Sequence, residues 1–327
     1  MLIDPFGRTI TYLRLSVTDR CNLRCVYCMP GEGIQWLPRE QVLTSDEFAR
    51  VVQAAVSLGI NKVRITGGEP LVRRDIVEIV RKIAAIPGIA DLNLTTNAVL
   101  LEKLAKPLAD AGLMRVNISL DTLDPQKFHR ITRFGDFSLV WKGILAAEEA
   151  GLKPVKINTV VVRGLNDDEL ISLSKLSVDH PWHVRFIELM PVSNGQDWGI
   201  DLPPAEQRYF PVQEMMHRLS SLNLEPVAEK GNGPERTFRI PGAMGTVGFI
   251  SPVGDQFCKD CNRIRMTADG HLRSCLLVDG ELFIRDALRA GEDLTPYIKQ
   301  AVANKPEGHK LAEKVLPASR HMSQIGG

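Results

Sequence analysis

The sequence predicts an α/β protein built on an incomplete parallel β/α barrel of about six strands. Two observations carry this expectation. Short β-like runs alternate with helical repeats six times before residue 190, and that order implies parallel strands with helices packed outside them. The character then changes after Met190-Pro191: residues 193–256 are rich in glycine, proline and short irregular segments, and a helical tail follows. The expected division is therefore a barrel over 1–190 and a C-terminal domain over 191–327 that covers its open side. An open doubly wound sheet is the competing architecture.

The elements follow in order. A first strand at 13–17 runs into a cysteine-bearing loop. Ser45 reads as the N-cap of a helix that reaches Leu58, with Asp46 and Glu47 in its first turn and Gly59 ending it. The second strand is expected at 62–66 and its helix at 75–85. The third strand follows at 92–95, with a helix at 100–111 closed by Gly112. A fourth strand at 115–119 precedes helical patterns at 125–132 and 138–150. The fifth strand is expected at 155–161, a helix at 167–177 and the sixth strand at 184–188.

Composition excludes several classes. The 327 residues are 44% hydrophobic, 24% charged and carry a net charge of +1, so no global field draws the chain to nucleic acid or acidic membranes. Aromatics at 6% leave no basic, aromatic-studded groove for nucleic acid. No apolar run approaches the ~18 residues of a membrane span. The N-terminus has no basic region followed by an apolar stretch. The expected location is the cytoplasm, with no membrane or nucleic-acid partner.

There, six cysteines are not expected to form disulfides. They fall into two groups of three. Cys21, Cys25 and Cys28 are spaced C-x3-C-x2-C. Three thiolates hold three irons of a cubane and leave the fourth open, as a catalytic metal requires. Structural zinc wants four ligands, and no fourth Cys or His lies nearby. This spacing, with Tyr27 before the last cysteine, resembles the signature of the radical S-adenosylmethionine (SAM) enzymes. In those enzymes SAM chelates the open iron and is cleaved to a 5′-deoxyadenosyl radical that abstracts hydrogen.

Polar residues sit where the barrel strands end, which is where a barrel places its active residues. The second strand ends in Thr66-Gly67-Gly68-Glu69-Pro70, the third in Thr95-Thr96-Asn97, the fourth in Ser119-Leu120-Asp121 and the sixth in Glu188-Leu189-Met190-Pro191. The fifth carries Lys156 and Asn158. The second cysteine group, Cys258, Cys261 and Cys275, is C-x2-C-x13-C. It is read as a second open cluster; the alternative is a zinc site completed by His271. Arg263 and Arg265, two apart in an extended segment, face one side, and paired guanidiniums suit phosphate oxygens.

End to end, the chain resembles the molybdenum-cofactor biosynthesis family of GTP 3′,8-cyclases, the MoaA family. The resemblance runs through residues 7–16, 63–70, 94–97, 115–121 and 186–191, the C-terminal cysteine segment and the terminal Gly326-Gly327, with no departure at a motif position. It implies two 4Fe–4S clusters, on Cys21, Cys25 and Cys28 and on Cys258, Cys261 and Cys275. It implies SAM lined by Tyr27, Gly68, Ser119 and Met190. It implies GTP held by Arg14, Arg64, Thr95, Lys156, Arg263 and Arg265, with Arg185 a further candidate. Arg14, Arg263 and Arg265 are implied in catalysis. The terminal glycines are implied to reach back into the active site. The implied reaction takes hydrogen from ribose C3′ and joins C3′ to guanine C8. An electron donor, a downstream cyclic pyranopterin monophosphate synthase and a monomeric or homodimeric state complete the implied partners. Two rivals remain at this level: a radical SAM enzyme acting on a peptide, and a binding protein whose metals only staple the fold.

Overall fold

A computed structural model describes residues 1–191, 198, 202–227, 234–254, 257–313, 315 and 320–326. Among them, twelve strands form one sheet. The six expected strands are β1 (Tyr12–Ser16), β2 (Lys62–Thr66), β3 (Asp91–Thr96), β4 (Arg115–Ser119), β5 (Lys156–Val161) and β6 (His183–Glu188). The C-terminal half adds β7 (Glu225–Pro226), β8 (Arg236–Arg239), β9 (Thr246–Ile250), β10 (Arg263–Met266), β11 (His271–Arg273) and β12 (Glu281–Phe283). Their order is β12-β11-β10-β1-β2-β3-β4-β5-β6-β9-β8-β7. The run from β10 to β9 is parallel throughout, and antiparallel strands extend both edges. The sheet is open, not closed.

This corrects the expected count and the expected role of the C-terminal half. Residues beyond 190 do more than cover the barrel: β9 and β10 join its two edges as parallel strands. Their short runs lack the intervening helices by which β1–β6 were recognised, so periodicity passed over them.

Fully buried parallel strands usually read as continuous apolar runs. Here they alternate. Leu13, Leu15, Val63, Ile65, Leu92, Leu94, Val116, Ile118 and Ile157 are buried on one face in a single hydrophobic cluster. That cluster also holds Phe48, Val51 and Val52 of α1 (Ser45–Ser57), Ile79, Val80 and Ile83 of α2 (Ile76–Ala84), Leu101, Ala105 and Leu108 of α3 (Leu101–Asp110), Phe128 of α4 (Pro125–Thr132), and Val140 and Ile144 of α5 (Phe137–Glu149). A second cluster joins β6 and β9 to α6 (Leu170–Asp179) and α7 (Val212–Arg218). The helices α8 (Arg285–Ala290), α9 (Thr295–Ala303) and α10 (Met322–Ile325) follow the last strands. The other face carries the polar residues of each strand. In register across it stand Arg265, Arg14, Arg64, Asn93 and Arg115.

One helix start moves by a residue. Thr44, not Ser45, is the N-cap of α1: its side chain accepts from the Glu47 N–H at 3.3 Å while Glu47 accepts from the Thr44 N–H at 2.7 Å. Both residues are good caps, and the reciprocal bond to Glu47 three positions on selects Thr44.

Candidate active site

The loop after β1 brings Cys21, Cys25 and Cys28 to one wall of a cavity of about 1150 Å³. Tyr27, Gly68, Ser119 and Met190, from three further strand ends and the cysteine loop itself, line the same cavity. Burial pushes the Cys21 and Cys28 thiols up to about 12 and raises Cys25 well above the usual thiol value. A soft metal that binds the sulfurs displaces these protons into solution, and three thiols on one wall fit a cluster. Tyr27 donates its hydroxyl to Asp121 Oδ2 at 2.6 Å and thereby ties the cysteine loop to the end of β4. Burial raises Asp121 to about 6, while Asp121 also accepts from the Val160 N–H at 2.9 Å.

Gly68 is dictated by a close approach of backbone to backbone. A Cβ there would overlap the carbonyl oxygen of Arg20, because the Gly68 and Glu69 N–H groups each donate at 2.8 Å to the loop leading into Cys21. Glu69 is buried and accepts from Leu71 N at 2.9 Å, Thr96 Oγ1 at 2.7 Å and Asn97 N at 2.7 Å. Asn97 in turn donates to Asn22 Oδ1 at 2.8 Å. The glycine-rich turn thus buckles the cysteine loop onto β2 and β3.

Cys258 and Cys261 bracket a short 3-10 turn just before β10, and Cys275 follows β11. Burial raises Cys261, but Arg263 and Lys305 outweigh it and bring the thiol down to about 7. His271 is engaged elsewhere: Nδ1 lies 3.2 Å from Asp269 and 3.2 Å from Arg320, and the ring packs on Phe283 at 4.7 Å. With His271 engaged, the site offers three thiols and, among the described residues, no fourth donor; that leaves a structural tetrahedral zinc incomplete and fits three corners of a cubane.

A second cavity, about 1340 Å³, is lined by Arg14, Arg64, Thr95, Lys156, Arg263 and Arg265, together with Arg185. All six expected nucleotide residues meet there, drawn from β1, β2, β3, β5 and β10. Burial and the neighbouring Arg265, Arg64 and Arg263 push Arg14 well below its usual range. Burial and Arg263 bring Arg265 to about 9. The Arg14 Nε is buried without a hydrogen-bond partner among the described residues. Guanidiniums this crowded call for a polyanion.

The chain's own end enters this region. Arg265 Nη1 donates to the Gly326 carbonyl at 2.6 Å, and Met322 and Ser323 line the cysteine cavity. Gly326 has φ +65°, and a Cβ on it would collide with Thr66 Oγ1. Gly327 lies outside the described residues.

Residues 15–176 match the Radical SAM superfamily, and residues 182–311 match Molybdenum Cofactor Synthesis C. The GTP 3′,8-cyclase of Listeria welshimeri is 47% identical over 338 residues, spanning 100% of this chain and 99% of that protein. The chain belongs to the GTP 3′,8-cyclase family of radical SAM enzymes. A second family relative, the GTP 3′,8-cyclase of Pelotomaculum thermopropionicum, is 46% identical across 99% of both chains. The fold is shared more widely: Streptococcus suis SuiB bound to S-adenosylmethionine matches 90% of this chain and 68% of its own at TM-score 0.62 and 15% identity.

Three site features of this family member escaped the sequence. Lys62 and Arg115 line the cation cavity; strand alternation places both on the face of Arg14 and Arg64, and that signal was available. Glu235 faces Lys156 at 3.5 Å and Arg185 at 3.1 Å. Burial raises it, but Arg185 and Lys156 prevail and hold it at about 2. Burial and Arg185 bring Lys156 to about 8 in spite of Glu235. Nothing local marked Glu235, which comes from the irregular stretch before β8.

Proposed function

We propose that the chain converts GTP to (8S)-3′,8-cyclo-7,8-dihydroguanosine 5′-triphosphate in molybdenum cofactor biosynthesis. One observation carries the reading beyond family membership. The cysteine cavity and the cation cavity share Thr95, Asn158, Ile187 and Met190, so they adjoin. A nucleotide whose triphosphate sits on the guanidiniums extends toward the cysteines.

When bound, a 4Fe–4S cluster on Cys21, Cys25 and Cys28 with SAM supplies a one-electron route to hydrogen abstraction, and a second cluster on Cys258, Cys261 and Cys275 offers an open iron to the base. Tyr27, Gly68, Ser119 and Met190 wall the SAM side. Arg14, Arg64, Thr95, Lys156, Arg263 and Arg265 bind GTP, and the triphosphate relieves the repulsion among the arginines. Arg14, Arg263 and Arg265 fix the substrate while the C3′ hydrogen leaves and C3′ bonds to C8. Holding both carbons in one orientation supplies much of the rate. One hydrogen atom leaves, and one electron and one proton return, so the product keeps the mass of GTP. In this reading residues 1–190 form the SAM part and 191–327 carry the second cluster and much of the GTP site. A low-potential electron donor and the synthase that consumes the product are its partners, in the cytoplasm.

The test is anaerobic reconstitution with iron and sulfide, followed by SAM, reductant and GTP. Expected are GTP-dependent 5′-deoxyadenosine and a cyclised product of unchanged nominal mass, both lost in Cys25→Ala. SAM cleavage indifferent to GTP, with turnover of a peptide, would overturn the substrate.

A further inference from the structure

Two buried cations lie behind the second cysteine triad, outside both cavities. Arg8 is 8% exposed and Lys305 4%. Arg8 is braced by Asp4, its Nε 2.5 Å from Oδ2. Its Nη1 donates to the carbonyl oxygens of Cys258 at 2.7 Å and Glu307 at 2.8 Å, and its Nη2 to Pro306 at 2.6 Å. Lys305 donates to the carbonyl oxygens of Arg263 at 2.8 Å and Ser274 at 2.9 Å, and lies 3.8 Å from Cys261 Sγ. Those three acceptors account for the three N–H bonds of an ammonium, one more than a neutral amine has.

Between them the two side chains reach two members of the triad and the residue before the third. Arg8 holds the backbone of Cys258. Lys305 meets the sulfur of Cys261 and the carbonyl of Ser274, the residue before Cys275. The segment bearing Lys305 is itself fastened by Arg8, through Pro306 and Glu307, so the two cations act on one another as well as on the cysteines.

We propose that Arg8 and Lys305 form a clamp that assembles the second cysteine triad before metal arrives, with Lys305 also supplying positive charge to the cluster it holds. The inference rests on the reading of that triad as a cluster site. Three thiolates bring three negative charges into a half-buried place, and cations and hydrogen-bond donors beside them stabilise that charge. A cation at a cluster sulfur favours the reduced form and raises the potential. Both are positioning residues: neither lines the cavity where the nucleotide is proposed to sit.

The experiment uses the full chain with Cys21, Cys25 and Cys28 replaced by Ala, so that only the second triad loads. Lys305→Gln, Lys305→Arg and Arg8→Gln are introduced separately. Iron and sulfide per chain, the midpoint potential of the cluster, and the thermal melt are measured. Lys305→Gln keeps a donor for the carbonyls but loses the charge; it is expected to bind several-fold less iron or to hold a cluster of lower potential, and Lys305→Arg to restore either. Arg8→Gln touches no sulfur and is expected to lower occupancy without moving the potential, which keeps the clamp testable if Lys305→Gln fails to fold. Full loading at parental potential in Lys305→Gln, or full loading in Arg8→Gln, overturns the clamp. A parent that takes up no iron overturns the cluster reading itself.

Discussion

Glu235 shows what a single side chain does in the cation cavity. It is a carboxylate among arginines, 6% exposed, and its two ion pairs hold it at about 2 from a reference of 4.5. A depressed carboxyl contributes stability that is complete above the unfolded value and is lost as pH falls through the folded one. The difference in melting temperature between the apo chain and Glu235→Gln is therefore expected to be full at about pH 5 to 6, below the Lys156 value of about 8, and to shrink between 4.5 and about 2. Calorimetry across that range checks it; a difference that persists unchanged at the acid end would mean that Glu235 acts by shape alone. Gly68 makes the complementary point. Its lack of a side chain admits the Arg20 backbone, while Gly68 itself lines the cysteine cavity.

Elements in this fold carry two faces with two chemistries. Leu13 and Leu15 bury outward under the helices, while Tyr12 and Arg14 line the cation cavity. A slip of one residue would exchange the faces, so register is set by both the core and the site. Helix starts are set more locally. The Thr44–Glu47 capping box satisfies two backbone donors at the head of α1, the helix that buries Phe48, Val51 and Val52. Thr44→Ala is expected to lower stability by about 1 kcal/mol, read as a shifted denaturant midpoint at constant slope. Ser45→Ala reports instead on the bonds of its hydroxyl with Glu78 at 3.2 Å and Lys82 at 2.9 Å; an unchanged midpoint in Thr44→Ala would refute Thr44 as the cap.

At the scale of the molecule, the cations of β1, β2, β5, β6 and β10 form one mutually repelling group. A polyanion that binds only the folded chain stabilises it by mass action, about 2.7 kcal/mol at a hundredfold excess over Kd. GTP and inorganic triphosphate are both expected to raise the melting temperature of the metal-free chain, and guanosine far less, with the effect falling as salt rises. Equal shifts from guanosine and GTP would remove the phosphates from the arginines.

Much of this was legible in advance. The six strands β1–β6 and their helices follow hydrophobic periodicity, which is a local property, and their ends fell within a residue or two of the expected places, except that α6 starts at Leu170 rather than 167. Both cysteine triads were visible because thiolate spacing is itself local. The expected SAM and GTP residues lie in two adjoining cavities because each but Tyr27, which the cysteine loop carries, comes from one face or the end of a strand, and parallel strands gather such positions together. The sequence by itself therefore determined the β/α alternation, the two sets of thiols and most of the cationic lining. Only the tertiary structure decided what long-range pairing decides: that β9 and β10 extend the barrel sheet, that Glu235 answers Lys156 and Arg185, that Gly326 meets Arg265, and that Arg8 and Lys305 converge on the second triad. Those contacts join residues far apart in the chain, and no local pattern encodes them, because their free energy comes from burying charges beside partners that only folding brings near.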